Sequence, residues 1–368
     1  MGTGPAGPGS IPSREREYAE LYPRDVSMPQ SIIALIESGQ NASMQAMSEA
    51  IDQIMQGKWS EEDIGRLLIG LHEKGETVEE IAGAAMAMRR HMTPIRTSRP
   101  DVMDVVGTGG DASGTFNIST AAAIVTAAAG VTVAKHGNRR FTSRTGSADV
   151  LVELGVNIEA DVACVEECLE ELGLCFCFAP LMHQAMRHVG PVRKRLPHPT
   201  IFNILGPLVN PAEAPLVLLG VGRDSLRPVM AEALSLLKIR HAVVVHGTDP
   251  LDEVSLSATT RVTEVGQDGS REFEWTPSDF GFKPVDRTSL LVAGPLESAA
   301  VIREVLANAP GPPRDIVVAN AAAALWTAGK ATSPREAAEI VAETLRNGAA
   351  AGLLARLHEK TSAPRKSA

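Results

Sequence analysis

The sequence predicts a small helical domain followed by a large α/β domain with a mostly parallel central sheet. Three observations carry this. Residues 29 to about 95 repeat apolar side chains at helical spacing. From Asp101 onward, short apolar runs alternate with helical patterns. Two polar loops follow consecutive apolar runs, which a parallel sheet would place at one edge. The 368 residues suffice for one large domain, or for a large and a small one. Hydrophobic content of 44% sustains a substantial core, and 4% aromatic residues make it mostly aliphatic.

Residues 1–28 are rich in Gly, Pro, Ser and charge and read as a disordered extension. Their start, MGTGPAGPGS, lacks a basic region followed by an apolar one, so no secretory signal is expected there. In the helical domain, 29–95, Ile32, Leu35 and Ile36 share one face, as do Ile51, Ile54 and Met55. Ile64, Leu67, Leu68 and Leu71 form a third such face. Ser60 with Asp63, and Thr77 with Glu80, fit the capping-box pattern, Asp being the weaker partner. Pro94 and Pro100 bracket a linker into the α/β domain, expected over 101–358. Residues 359–368 read as a flexible tail.

Within the α/β domain, Val102–Val106 predicts a strand and Gly107–Thr120 (GTGGDASGTFNIST) a glycine-rich loop. An alanine-rich helix then runs to Gly130. Glycine lets backbone N–H groups approach an anion, and the helix start adds unpaired N–H groups and partial positive charge. The expected ligand is a phosphorylated small molecule. The loop is no Walker motif, because Gly-Lys-Ser and Gly-Lys-Thr are absent. It also lacks the third glycine of the dinucleotide fingerprint, with Ala112 in that place. Alone, such a loop is also compatible with a plain tight turn.

The second loop, KHGNR from Lys135 to Arg139, follows a strand expected at Val131–Ala134. Lys135 suits a phosphate, and Asn138 offers a donor and an acceptor. A solvated turn would look similar, but two such loops at one sheet edge favour a phosphate site. A third element is HGTDPLDE, His246–Glu253, where Asp252 and Glu253 lie beyond the strand-like run HAVVVH. His246 reads as structural.

Net charge of −9 argues against a dedicated nucleic-acid binder and requires local cations to hold an anionic ligand. Lys135, Arg139, Arg140, Arg144 and Arg193 are the candidates. Cys164, Cys168, Cys175 and Cys177 form no CxxC pair, so free thiols in a reducing cytoplasm are expected. No segment reaches the apolar length of a membrane span.

GTGGD, the Asn-x-Ser-Thr segment and KHGNR, in this order and spacing, resemble the anthranilate phosphoribosyltransferases. The resemblance continues through GSADVLVELGV (Gly146–Val156), PVRKRLPHPTIFNILGPLVNPA (Pro191–Ala212), HGTDPLDE and RDIVVANAAAALW (Arg314–Trp326). It covers roughly residues 29 to 358. It implies a nucleoside phosphorylase/phosphoribosyltransferase-like fold and transfer of phosphoribose from 5-phosphoribosyl 1-pyrophosphate to anthranilate, in tryptophan biosynthesis. It also implies that 193–211 packs onto the helical domain, with the active site in a closable cleft between the domains.

The resemblance carries roles over position by position. Gly107, Gly110, Asp111, Thr115, Asn117, Ser119, Thr120, Lys135 and Ser147 would bind phosphoribosyl pyrophosphate. Gly107, Asn138 and Arg193 would bind anthranilate, Arg193 through its carboxylate. Asp252 and Glu253, with the hydroxyl of Ser119, would hold Mg2+ on pyrophosphate. Lys135, Asp252 and Glu253 would then stabilise the leaving group. A homodimer through the helical domain is expected, because Met44, Met47, Ile51, Ile54, Met55, Leu67, Leu68, Leu71, Met86 and Met88 look too numerous to bury internally.

Three positions depart from the family's pattern. Pro250 stands where glycine is usual, LPHPT (Leu196–Thr200) lacks an arginine, and Arg140 and Phe141 follow KHGNR. Two other functions remain possible on this fold class: a pyrimidine-nucleoside phosphorylase, and a non-catalytic nucleic-acid-binding relative. The paired acids with KHGNR argue against the first, and the net negative charge against the second.

Overall fold

The computed structural model describes residues 28–110, 113–139 and 145–363. Asp111, Arg140, Phe141 and Arg144 lie outside these residues, as does nearly all of the expected N-terminal extension.

Among the described residues four helices come first: α1 (Met28–Glu37), α2 (Met44–Met55), α3 (Glu61–Lys74) and α4 (Val78–His91). Their starts are set by side chains that satisfy otherwise unpaired N–H groups. Ser43 accepts from Ala46 N and Ser60 from Asp63 N. Thr77 and Glu80 form the full capping box. Ser60 and Asp63 do not, because the Asp63 carboxylate takes the Ser60 hydroxyl at 2.7 Å. Glu80 is fully buried, yet it accepts from Thr77 N, Ala42 N and Lys74 Nζ, so its charge is compensated. At Gly83 a Cβ would collide with the Met44 carbonyl, so α2 and α4 cross at a distance only glycine permits.

Beyond Asp101 the chain lays down a seven-stranded sheet in the order β3-β2-β1-β4-β5-β6-β7. The strands are β1 (Val102–Gly107), β2 (Thr132–Gly137), β3 (Leu174–Phe178), β4 (Leu216–Gly220), β5 (His241–Gly247), β6 (Thr260–Gly266) and β7 (Gly269–Trp275). β1 to β5 are parallel, and β6 and β7 add an antiparallel edge. The intervening helices are α5 (Ile118–Ala128), α6 (Ser147–Glu153), α7 (Val162–Glu167), α8 (Ala179–Met182), α9 (Gly190–Arg195) and α10 (Leu226–Leu236). The last four are α11 (Pro295–Leu306), α12 (Pro312–Thr327), α13 (Pro334–Arg346) and α14 (Ala349–Ser362). α14 therefore extends past residue 358, where the tail was expected to begin.

Side-chain alternation splits the core in two. Leu216 and Leu218 of β4, with Val243 and Val245 of β5, join the alanine-rich faces of α5 and α12. Val217, Leu219, Ala242 and Val244 point the other way and pack with α10 and the four N-terminal helices. Strands covered on both faces explain the near-continuous apolar runs. Val192, Ile201, Phe202, Leu205 and Leu208 belong to this second cluster, so the stretch from α9 to 209 is fastened to the helices.

That packing overturns one expectation. Met47, Ile51, Ile54, Met55, Leu67, Leu68, Leu71 and Met88 are buried within one chain, by the sheet face, α10 and 189–209. Only Met86 and Ile69 remain among the exposed large apolar side chains of the first four helices. Surplus apolar area is thus no argument for a dimer. A second correction concerns KHGNR. Lys135, His136 and Gly137 lie inside β2, paired with β3, and only Asn138 and Arg139 extend beyond it.

Candidate active site

The carboxyl ends of β1 and β2, the start of α5, the start of α6 and the turn after β5 converge on one cleft. It is lined by Gly107, Thr115, Asn117, Ser119, Lys135, Asn138, Ser147, Asp252 and Glu253. These are nine of the expected site residues, drawn from five stretches of chain, at the strand ends where open parallel sheets bind ligands.

Glycines make this convergence possible. A Cβ at Gly107 would fall 2.6 Å from Asp252 Oδ2, and one at Gly220 would overlap the Asp252 carbonyl. The Gly109 N–H donates to Asp252 Oδ2 at 3.0 Å, with Gly109 at φ 66° and Gly110 at φ 80°. Thr108 N donates to Gly220 O at 2.9 Å, closing the loop onto β4. The acidic turn and the glycine-rich loop are thus one unit. Pro250 fits that turn without strain on hydrogen bonding: it is exposed, and Leu251 N rather than residue 250 returns to Gly247 O.

Asn117 caps α5, its side chain accepting from Thr120 N at 3.3 Å and from the Thr120 hydroxyl. Thr120 is fully buried by this contact and, like Gly110, does not line the cleft. Ser119 lies one position earlier and faces Lys135, whose Nζ donates to its hydroxyl at 3.3 Å and to Val105 O at 2.7 Å. Burial lowers the Lys135 pKa, while Asp104, Glu253 and Asp252 pull it back up. Ser147 opens α6 and donates to Asn138 O at 3.4 Å.

Arg193 is not among the lining residues. It sits on α9, donating to Asn203 Oδ1 at 3.4 Å with its guanidinium 5.7 Å from the Phe202 ring centre. Its stretch of chain nevertheless abuts the cleft wall, because Gly206 O lies 3.1 Å from His136 Nδ1. In LPHPT, the departure from the family, His198 stacks on His72 of α3 with ring centres 3.9 Å apart. His246 is buried with Nδ1 2.8 Å from Val221 O, a strand-end anchor.

Sequence reasoning gave no role to His136, His183, Asp104 or Asn210. His136 and His183 face each other through Nε2 atoms 3.2 Å apart. Since Gly206 O only accepts, a neutral His136 carries its proton on Nδ1 and turns its bare Nε2 toward His183. Burial pushes the pKa of His136 down to about 3 and that of His183 to about 4. Burial pushes Asp104 up to about 6. Between about pH 4 and 6.5 the two histidines are neutral in the fold and protonated in the unfolded chain. The unfolded state binds more protons there, so their contribution to stability falls as pH drops. Asp104 opposes this, being protonated only in the fold between roughly pH 4 and 6, but it is one group against two. Melting temperature should therefore fall on acidification from about pH 7 to 5, and less steeply in His183→Gln. An equal fall in that variant would remove His183 from the account.

The donor set suits a hard cation. Asp252, Glu253 and Ser119 supply oxygen only, and they line the cleft beside the glycine-rich loop. Among the described residues no three His, Cys, Asp or Glu side chains converge as a metal cage. A cation here would complete its shell from phosphate and water, as magnesium does at phosphate sites.

Comparison with known proteins agrees with this geometry. The glycosyl transferase family a/b domain matches residues 99–351, and its helical bundle domain matches 30–92. The anthranilate phosphoribosyltransferase of Rhodopirellula baltica is 48% identical over 321 residues, 87% of this chain and 94% of the relative. That of Thermomicrobium roseum is 45% identical over 332 residues, 89% of this chain and 95% of the relative. The crystal structure of the Thermus thermophilus enzyme superposes with a TM-score of 0.85 at 42% identity, covering 90% of this chain and 99% of that one. The Saccharomyces cerevisiae enzyme in complex with PRPP and Mg gives 0.83 at 28% identity, covering 91% and 98%. The same enzyme, solved in complex with 4-fluoroanthranilate, gives 0.82 at 27% identity, covering 91% of this chain and 98% of that one. With a family domain over two thirds of its length and relatives matched nearly end to end, the chain belongs to the anthranilate phosphoribosyltransferases of the glycosyl transferase family.

Proposed function

We propose that this cleft transfers the phosphoribosyl group of 5-phosphoribosyl 1-pyrophosphate to the amine of anthranilate, yielding N-(5-phosphoribosyl)anthranilate and pyrophosphate in tryptophan biosynthesis. One observation carries the reading: a glycine loop at a helix start, a buried lysine and an acid pair with a hydroxyl converge on one cleft. A nucleoside phosphorylase needs no such metal-binding pair, and the relatives support neither it nor a nucleic-acid binder.

In this reaction the bond from the anomeric carbon to pyrophosphate breaks as the bond to nitrogen forms. Positive charge develops on the sugar and negative charge on pyrophosphate. Lys135 and the N–H groups of the glycine loop face that leaving group and hold it without reorganising. Magnesium, held by Asp252, Glu253 and Ser119, would neutralise pyrophosphate oxygens as their charge grows. Thr115, Asn117, Ser147, Gly107, Gly110 and Asp111 complete the phosphoribosyl site in this reading, with Thr120 buried behind Asn117 and holding its side chain. Asn138, Gly107 and Arg193 receive anthranilate, Arg193 through a two-pronged contact with its carboxylate. No side chain is needed as a strong base, since the ortho carboxylate of anthranilate lies beside the amine. The buried His136 is spoken for at both nitrogens.

The test is anthranilate fluorescence in the presence of phosphoribosyl pyrophosphate and magnesium. Fluorescence should be lost only when all three are present. Phosphorolysis of thymidine or uridine, with anthranilate untouched, would overturn the reading. Arg193→Ala should raise the Michaelis constant for anthranilate by roughly ten- to a hundredfold, since a charged hydrogen bond contributes about 1.5–3 kcal/mol. The constant for phosphoribosyl pyrophosphate should move far less, and equal effects on both would unseat Arg193.

A cytoplasmic location fits four buried free thiols, Cys164, Cys168, Cys175 and Cys177. No helix among the described residues is long and apolar enough to cross a membrane. A homodimer through the helical domain is proposed on the family resemblance and on the preference of homo-oligomers for twofold dimers, not on apolar surface, and light scattering decides it.

A further inference from the structure

The sheet is split where the cleft begins. β1 pairs with β4 from Met103 to Gly107, and β2 pairs with β3 from Val133 to Gly137. Between β1 and β2 the pairing stops after Met103 and Val133. Beyond that point side chains replace the ladder. The His136 N–H donates to Asp104 Oδ1 at 3.2 Å. Ala134 O accepts from Asn210 Nδ2 at 2.8 Å, and the same amide donates to Asp104 Oδ2 at 2.7 Å. Val105 O accepts from Lys135 Nζ at 2.7 Å. Each of these three backbone groups would otherwise lack a partner, and side chains satisfy all three.

Asp104 is completely buried and Asn210 nearly so. A carboxylate in the middle of a central strand is costly unless its hydrogen bonds are met. Here they are met by the His136 N–H, which would otherwise have joined the two strands, and by the Asn210 amide. The cleft lies directly beyond, between Gly107 on one side and Lys135, His136 and Gly137 on the other. The Lys135 ammonium reaches across it to Val105 O.

We infer that Asp104 and Asn210 act together as a positioning wedge, holding β1 and β2 apart so that the Lys135 ammonium reaches the pyrophosphate of the substrate. This rests on the phosphoribosyl-transfer reading. The wedge makes no contact with substrate. It fixes the backbone of Lys135 to Gly137 from behind and sets where the cation stands.

Asp104→Asn tests it. The side chain keeps its size, but its amide then meets the Asn210 amide donor to donor. The two strands should settle closer or shift register, displacing Lys135. Removing one charged hydrogen bond of this kind predicts a Michaelis constant for phosphoribosyl pyrophosphate about tenfold higher, with that for anthranilate changed by less than about threefold. A purely structural pair would lower the melting temperature and leave the constants of the folded enzyme alone; that outcome overturns the proposal. Calorimetric titration with inorganic pyrophosphate and magnesium is the second readout. A roughly tenfold loss of pyrophosphate affinity supports the wedge whatever the second substrate is, and an unchanged affinity refutes it. Absence of anthranilate turnover in the unaltered enzyme would instead refute the functional reading. Should Asp104→Asn not fold, Asn210→Ala keeps the carboxylate and removes the amide, and the same titration on it decides the matter.

Discussion

Changing Asp252 to Asn and Glu253 to Gln together is expected to lower turnover by about three powers of ten, roughly 4 kcal/mol at the transition state. The substitutions keep shape. Residue 252 sits with its carbonyl against Gly220 and its Oδ2 on the Gly109 N–H. An asparagine oxygen can still accept that bond, so the glycine loop should stay in place. What disappears is charge. On the proposed reading two anionic ligands for a hard cation are removed, leaving the Ser119 hydroxyl and amide oxygens, which are weak magnesium donors. Activity should then need at least about tenfold more magnesium for half its maximum, reflecting affinity lost by the cation. Steady-state rates across a magnesium titration, with melting temperature as the control for folding, provide the measurement. A variant whose magnesium dependence matches the unaltered enzyme would return the pair to ordinary surface acids.

Much of this site was legible because its residues break local rules. A glycine-rich loop between an apolar run and an alanine-rich run fits neither strand nor helix, and it marks the turn from β1 into α5. Thr77 with Glu80 announced a helix start through spacing alone, and the reciprocal bonds are there. KHGNR was harder. Its charge and glycine argue for a loop, yet Lys135 to Gly137 continue β2, because the lysine finds Val105 O and Ser119 inside the fold. Only contacts distant in sequence could have revealed this. Asn210 lies 106 positions from Asp104, and His183 lies 47 from His136. Asp104 itself was a visible signal, the one charged residue in the run Val102–Val106. The apolar surface of the N-terminal helices misled for the same reason: its partners are the far face of β4 and β5 and α10, which composition cannot assign.

Lys135→Met should separate substrate binding from folding. Methionine matches the lysine stem in length and carries no charge, so the apolar packing of the stem is kept. Two energetic effects then oppose each other. Val105 O and the Ser119 hydroxyl lose a donor, and an unsatisfied buried acceptor costs about 1–3 kcal/mol. Against this, a buried ammonium no longer has to be desolvated, a penalty already visible in its lowered pKa. Melting temperature should therefore change little. Substrate handling should change greatly, because the residue is 4% exposed and faces the anion site, where screening by water is weak. Pyrophosphate affinity should drop by roughly a hundredfold, and kcat by a comparable factor, since the lost donor acts most on charge that grows in the transition state. Anthranilate should bind much as before. Lys135→Arg should not restore activity, because a planar, wider guanidinium cannot replace a compact ammonium held at a buried position. A methionine variant with wild-type pyrophosphate affinity would show that Lys135 serves the sheet, through Val105, and not the substrate.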